Sequence, residues 1–143
     1  AAGLTVGLGS DSVVSNNRHD LFAEMRLAAL LAKGSSGDAA MLPARQALHL
    51  ATLGGAMALG LGEQTGSLEP GKAADLIAVD LAAAHLQPLY DPISQLVYCA
   101  DREQVSDVWV GGERRVASGC LQNDDEAELR ALAVDWQLRI ASG

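Results

Sequence analysis

Residues 4–34, "LTVGLGSDSVVSNNRHDLFAEMRLAALLAKG", decide how this chain reads. Leu4 to Leu8 is a short apolar run containing Gly7 and bounded by glycine. Its brevity and its flanks favour a buried strand over a helix. Ser10 to Asn17 is polar and reads as a loop. Asp20 then stands where a helix N-cap belongs, and Leu21, Met25, Ala28, Ala29 and Ala32 recur at helical spacing until Lys33 and Gly34 supply stop signals. The opening is therefore expected to be strand, loop, helix, with one carboxylate, Asp11, delivered to the loop. At the C-terminal edge of a parallel β/α unit such a residue can hold a metal or accept a proton from water. The competing fate is an Asx turn over Ser12 and Val13.

The rest of the chain changes character twice. The linker "GSSGD" (34–38) leads to "LPARQALHLATLGGAMALGLG" (42–62), where Pro43 suits a first helical turn and Gly54-Gly55 is expected to split the run into two short helices. In "TGSLEPGKAADLIAVDL" (65–81), Pro70-Gly71 fits the centre of a type II turn, Lys72 is expected to be solvated, and Asp75 to Asp80 reads as a strand burying Leu76, Ile77 and Val79. Asp91 and Pro92 open a short helix. Residues 104–119 form a hairpin about Gly111-Gly112. Residues 123–142 form an amphipathic helix with an acidic first turn. Three regions follow: 1–62 with the opening unit and helices, 63–120 with the strands and a short helix, and 121–143 with the last helix.

Composition removes several functions. The 143 residues are 49% apolar but 3% aromatic, so the core must be built of Ala, Leu and Val, with Trp109 and Trp136 expected to be core anchors. A formal charge of -8 repels phosphate, which argues against nucleic acid and anionic membrane surfaces as partners. The apolar runs are too broken to span a bilayer. No basic-then-apolar leader is present, and the cytoplasm is the expected compartment. Cys99 and Cys120 lack metal-ligand spacing and are expected to be small reduced hydrophobes. His19, His49 and His85 are scattered, with no H-x-H or H-x-x-x-H pair, and are expected to be structural or surface residues. "GLGSDS" lacks the third glycine of a dinucleotide fingerprint and the frame of a G-x-S-x-G nucleophile elbow.

"GLGSDSVVSNNRHDLFAEMRLAALLAK" resembles the last barrel strand and following helix of metal-dependent amidohydrolases. "LPARQALHLATLGGAMALGL", "GSLEPGKAADLIAVDL" and "DPISQLVYCADREQVSDVWVGGERRV" match the same family in order and spacing. The nearest group is the cytosine-deaminase-like and triazine-hydrolase-like branch, which includes the 5-methylthioadenosine/S-adenosylhomocysteine deaminases. The resemblance implies an α/β portion of a larger enzyme: the last β/α unit of a (β/α)8 barrel, the C-terminal part of a flanking β-sandwich, and a terminal helix. A barrel needs about 250 residues, so an upstream barrel segment is implied. The opening Ala-Ala-Gly, which lacks Met, is what a portion of a longer chain would show.

By the same resemblance, Asp11 matches an aspartate that binds the catalytic divalent metal, zinc or iron, and handles the proton of the attacking water. Ser15, Asn16 and Asn17 match the loop near the substrate mouth and are candidate substrate-binding residues. The family's other ligands and its acid/base glutamate match no residue of this chain, so the metal is not fully liganded here. The implied activity is hydrolytic deamination of a purine-type nucleoside by a homo-oligomeric full-length enzyme, with this portion inactive alone. The alternatives are another amidohydrolase, acting on guanine, a triazine or an amide, or a non-catalytic truncated module that associates with a partner.

Overall fold

The computed structural model describes residues 3–142. Among the described residues six α-helices and four strands follow in the order α1 (Val13–Asn16), α2 (Leu21–Ser36), α3 (Ala44–Ala51), α4 (Leu53–Ala58), β1 (Leu76–Val79), α5 (Pro92–Tyr98), β2 (Val105–Val110), β3 (Glu113–Ala117), β4 (Cys120–Leu121) and α6 (Glu126–Ala141). The architecture is an α/β arrangement with two centres, a helical layer and a small antiparallel sheet.

The helical layer holds the core. Met25 and Ala29 of α2 meet Ala44 and Ala47 of α3 and Val97 of α5, with Leu8, Phe22, Leu48 and Ile93 packed around them. Three of these five buried residues are alanines, so the helices approach closely and the layer is thin. Asp20 caps α2, its carboxylate accepting from the Ala23 N–H at 3.1 Å and pairing with Arg18. The helix ends later than the sequence predicts. Gly37, at φ 67°, is the left-handed cap and donates its N–H to the Lys33 carbonyl, so Gly34, Ser35 and Ser36 are helical rather than linker. Asp91 caps α5 as expected, accepting from the N–H groups of Ile93 and Ser94, and Pro92 occupies the first helical position. Although α5 lies between β1 and β2 in sequence, it packs into the helical layer through Val97.

The expected strand at Leu4 to Leu8 is not formed as a strand: residues 3–12 carry no sheet pairing among the described residues. Nor is it buried along its length, since Leu4 is 78% and Val6 55% exposed. A parallel strand needs a neighbour to take its backbone groups, and the described residues hold none. The segment instead lies against α3 and α4, with the Leu8 N–H donating to the Leu50 carbonyl at 2.9 Å. The α3/α4 break falls at Thr52 (φ -122°, ψ -102°), not at Gly54-Gly55. Those glycines lie inside α4, for a different reason. A Cβ on Gly7 would sit 2.5 Å from Gly55 Cα, and one on Gly54 would sit 2.9 Å from the His49 carbonyl oxygen and 3.1 Å from that of Val6. Only bare backbone permits this crossing.

The sheet is an antiparallel meander, β1-β2-β3-β4. Gly111 (φ 58°) and Gly112 (φ 81°) turn β2 into β3 as a primed hairpin turn demands. Trp109 pairs with Leu76 on one side and Arg114 on the other, and the Arg114 guanidinium lies over its ring at 5.5 Å. The short β4, which the sequence did not signal, adds Ala117↔Cys120 and Val116↔Leu121 pairs. Between β1 and the helical layer runs the 62–75 loop. Gly71 has φ 95° and the Lys72 N–H returns to the Glu69 carbonyl at 3.2 Å, in keeping with the expected turn. Lys72 itself is not solvated: its ammonium donates to the Gly62 carbonyl and the Ser67 hydroxyl, both at 2.7 Å, and pairs with Glu69.

Other expectations of burial are corrected. Ile77 is 49% exposed rather than buried, on a strand that among the described residues pairs with β2 alone. Both cysteines are free and exposed rather than packed as hydrophobes. In α6 every residue is exposed, Trp136 among them, so this Trp anchors no core. Leu129, Leu132, Trp136 and Ile140 share one face while Val134 and Leu138 lie opposite, so the helix is apolar on two sides.

Two glycine substitutions are expected to move stability in opposite directions in chemical denaturation. Gly7→Ala forces backbone against backbone and should cost about 1–3 kcal/mol. Gly34→Ala, within α2 where an added Cβ meets nothing within 4 Å, should gain about 0.5–1 kcal/mol.

Candidate functional site

The candidate site begins where the extended segment leaves its crossing over α4. Pinned at Leu8, the chain reaches Asp11 three residues later in a left-handed conformation, φ 57°. Asp tolerates this region better than most residues. The carboxylate sits at the head of α1, a single helical turn where the sequence predicts loop. One oxygen, Oδ1, accepts the Ser12 N–H at 2.7 Å, and the other, Oδ2, accepts the Ser15 hydroxyl at 2.8 Å. Asp11 is exposed. The Ser15 hydroxyl, followed by the Ser12 N–H, holds its pKa below the usual aspartate value, so it is an anion at neutral pH.

Asn16 is half-buried, and its side-chain amide donates to the Ser10 carbonyl at 2.6 Å and to Glu24 Oε1 at 2.7 Å, tying the loop to α2. Asn17 ends α1 in a left-handed conformation, φ 64°, with its N–H on the Val13 carbonyl. The four candidate residues thus lie together on one loop, but they are not equivalent. The side chains of Ser15 and Asn16 are engaged within the loop, whereas Asn17 is exposed. Glu24, one helical turn into α2, is a member of this network that the sequence reading missed. Its only signal was an acidic residue in the first turn.

Asp11 has the chemistry of a divalent-metal donor, an anionic carboxylate with lone pairs beyond the two already used. It fits one position of such a centre. Among the described residues no three His, Cys, Asp or Glu side chains gather as a metal cluster. His19, His49 and His85 are all exposed. The chain therefore brings one donor, and a complete centre requires others.

An apolar cavity lies elsewhere. A groove of about 580 Å³ separates the helical layer from the sheet, lined by Phe22, Met25 and Leu48 on one wall and Leu76, Val108 and Trp109 on the other. Its lining includes one carboxylate, Asp75, already taken by the Gly111 N–H at 2.7 Å and the Thr65 hydroxyl at 2.9 Å. Asp11 is not part of it, and nothing in the groove converges as a reactive constellation. The most perturbed carboxylate is likewise structural. Asp107 on β2 accepts from Arg114, Ser106 and the Ser118 N–H, and these bonds lower its pKa from 3.8 to about 2.

Comparison with known proteins shows the family. The profile of the Amidohydrolase family matches residues 1–115. A 5-methylthioadenosine/S-adenosylhomocysteine deaminase of Teredinibacter turnerae is 46% identical over 140 residues, 98% of this chain and 32% of the relative. A zinc-bound adenosine deaminase from Xanthomonas campestris superposes with a TM-score of 0.96 at 46% identity, covering 99% of this chain and 32% of that one. A zinc complex of atrazine chlorohydrolase from Arthrobacter aurescens gives 0.87 at 31% identity over 94% of this chain. The chain thus spans about a third of the length of the relatives it matches. Among the described residues no helix is long and apolar enough to cross a membrane.

The two carboxylates make separate predictions. A folded-state pKa below the unfolded one stabilises the fold above the unfolded value, and that stability is lost as pH falls through the folded value. Side-chain carboxyl NMR is expected to place the Asp107 midpoint near 2 and that of Asp11 below the usual aspartate value. Asp107→Asn should flatten the loss of stability between pH 4 and 2 (about the span of the Asp107 shift).

Proposed function

This chain belongs to the amidohydrolase family, and from that premise we propose that it is the C-terminal portion of a metal-dependent, cytoplasmic deaminase of the 5-methylthioadenosine/S-adenosylhomocysteine class. The carrying observation is the identity of 46% sustained across 98% of the chain with a relative of that name. The triazine-type neighbour is only 31% identical, which favours a purine-type nucleoside over a triazine as substrate. In this reading the Leu4 to Leu8 segment is the last strand of a barrel, and its open edge meets strands contributed by an upstream segment. The exposure of Leu4, Val6, Leu27 and Leu31 supports this, because large apolar side chains at 51–78% exposure on adjoining elements ask for cover. The four-stranded sheet is then one part of the flanking sandwich, and the full-length protein is a homo-oligomer.

Asp11 is the catalytic residue of this portion and one ligand of a divalent metal, zinc by analogy with two zinc-bound neighbours. When bound, such a metal lowers the pKa of water towards ~7 and so makes a nucleophile available at neutral pH. The Asp11 carboxylate, anionic and hydrogen-bonded at both oxygens, orients the attacking water and accepts its proton. That proton is then available to the departing amine, so that ammonia leaves as the ring carbon gains its oxygen. The second acid/base group and the remaining ligands belong to the upstream segment. One donor cannot hold zinc tightly, and this portion alone is inactive.

The test is to join the chain to its upstream segment and follow ammonia release from methylthioadenosine. Asp11→Ala should lower kcat/KM by about 10²–10⁴-fold. Unchanged turnover in that variant rules out the assignment of Asp11, and no turnover in the parent protein rules out the substrate class.

A further inference from the structure

We propose that Ser15 and Asn16 are positioning residues for Asp11 rather than substrate contacts: Ser15 sets the carboxylate and Asn16 sets the backbone that carries it. The inference rests on the reading of Asp11 as a metal ligand and deepens it.

Asp11 itself is in the left-handed region, a conformation that a non-glycine residue keeps where its neighbours hold it. Its side chain is exposed, so packing does not hold it. Two short hydrogen bonds do. The Ser12 N–H, next in sequence, fixes Oδ1, and the Ser15 hydroxyl, one turn along α1, fixes Oδ2 at 2.8 Å. Ser15 Oγ also lies 3.1 Å from the Ser12 carbonyl. The single hydroxyl proton serves the shorter bond to the charged acceptor, because charge-assisted bonds are about twice as strong as neutral ones. The carboxylate plane is thereby set by two donors on the loop side, and its remaining lone pairs are left for a ligand.

Asn16 acts one step further back. One amide group bridges the Ser10 carbonyl, immediately before Asp11, and Glu24 of α2. Both acceptors are within 2.7 Å, and Asn16 is half-buried, so this amide is committed. It anchors the loop to the helix whose face forms the core. The left-handed Asp11 is thus held from its own carboxylate and from the preceding peptide, by neighbouring residues of one turn. A partner that orients a ligating carboxylate contributes to metal affinity without touching the metal, typically 10–100-fold.

The experiment uses the full-length protein, with zinc as probe, retained against a competing chelator, alongside kcat and KM. Ser15→Ala should weaken zinc retention about 10-fold and lower kcat with KM little changed. Ser15→Thr keeps the hydroxyl and should retain zinc as the parent does. Asn16→Ala should weaken zinc retention in the same direction. If Ser15→Ala raises KM while zinc retention is unchanged, Ser15 is a substrate contact and the inference is overturned. It is overturned equally if Ser15→Thr loses as much zinc as Ser15→Ala. Asp11→Ala separates the two levels: zinc lost there but kept in Ser15→Ala sinks the positioning role alone, whereas zinc kept in Asp11→Ala sinks the ligand reading and this inference with it.

Discussion

The crossing of residues 6–8 over α4 is the constraint on which the rest of the arrangement depends. At that point two backbones come so close that a single Cβ on Gly7 would lie 2.5 Å from Gly55 Cα. The Leu8 N–H reaches the Leu50 carbonyl in the same place. The segment has no sheet partner among the described residues, so this contact and the packing of Leu8 on the core are what hold it. Three residues later comes Asp11. The glycine crossing fixes the backbone from which the Asp11 carboxylate projects.

The alanine-rich core serves the same end. With Ala29, Ala44 and Ala47 at the contact, α2 and α3 lie close and little volume is available for rearrangement. Asp20 caps α2, and Asn16 ties the loop to Glu24 within that helix's first turn. The loop bearing Asp11 is thus attached at one end to α3 and α4 through the extended segment, and at the other to α2. Its position is set by the helical layer, not by the sheet.

The sheet is held by a different kind of interaction. Asp107 gathers Arg114, Ser106 and Ser118, and Arg114 also covers Trp109. Asp75 and Lys72 close the loop that enters β1 by satisfying backbone groups of Gly111 and Gly62. These charged groups are structural, although two of the carboxylates have lowered pKa values. A depressed pKa therefore marks good hydrogen bonding at Asp11, Asp75 and Asp107 alike, and by itself singles out none of them as reactive.

Local chemistry was readable in the sequence by itself: the caps at Asp20 and Asp91, the primed turn at Gly111-Gly112, the order of elements from α2 onward apart from the short β4, and the amidohydrolase motifs. Each depends on residues a few positions apart, whose backbone preferences act without distant partners. Tertiary structure alone decided the rest. Gly54-Gly55 looks like a helix break, but its purpose is the approach of a segment 48 residues away in sequence, Val6 to Gly54 and Gly7 to Gly55. Lys72 looks solvated until the loop folds two oxygens onto it. Leu4 to Leu8 has the composition of a buried strand, yet whether it pairs depends on neighbours that composition does not contain. Burial and pairing are properties of what a segment meets, and for α6, Ile77 and the opening segment the sequence pattern specified the apolar face without specifying its cover.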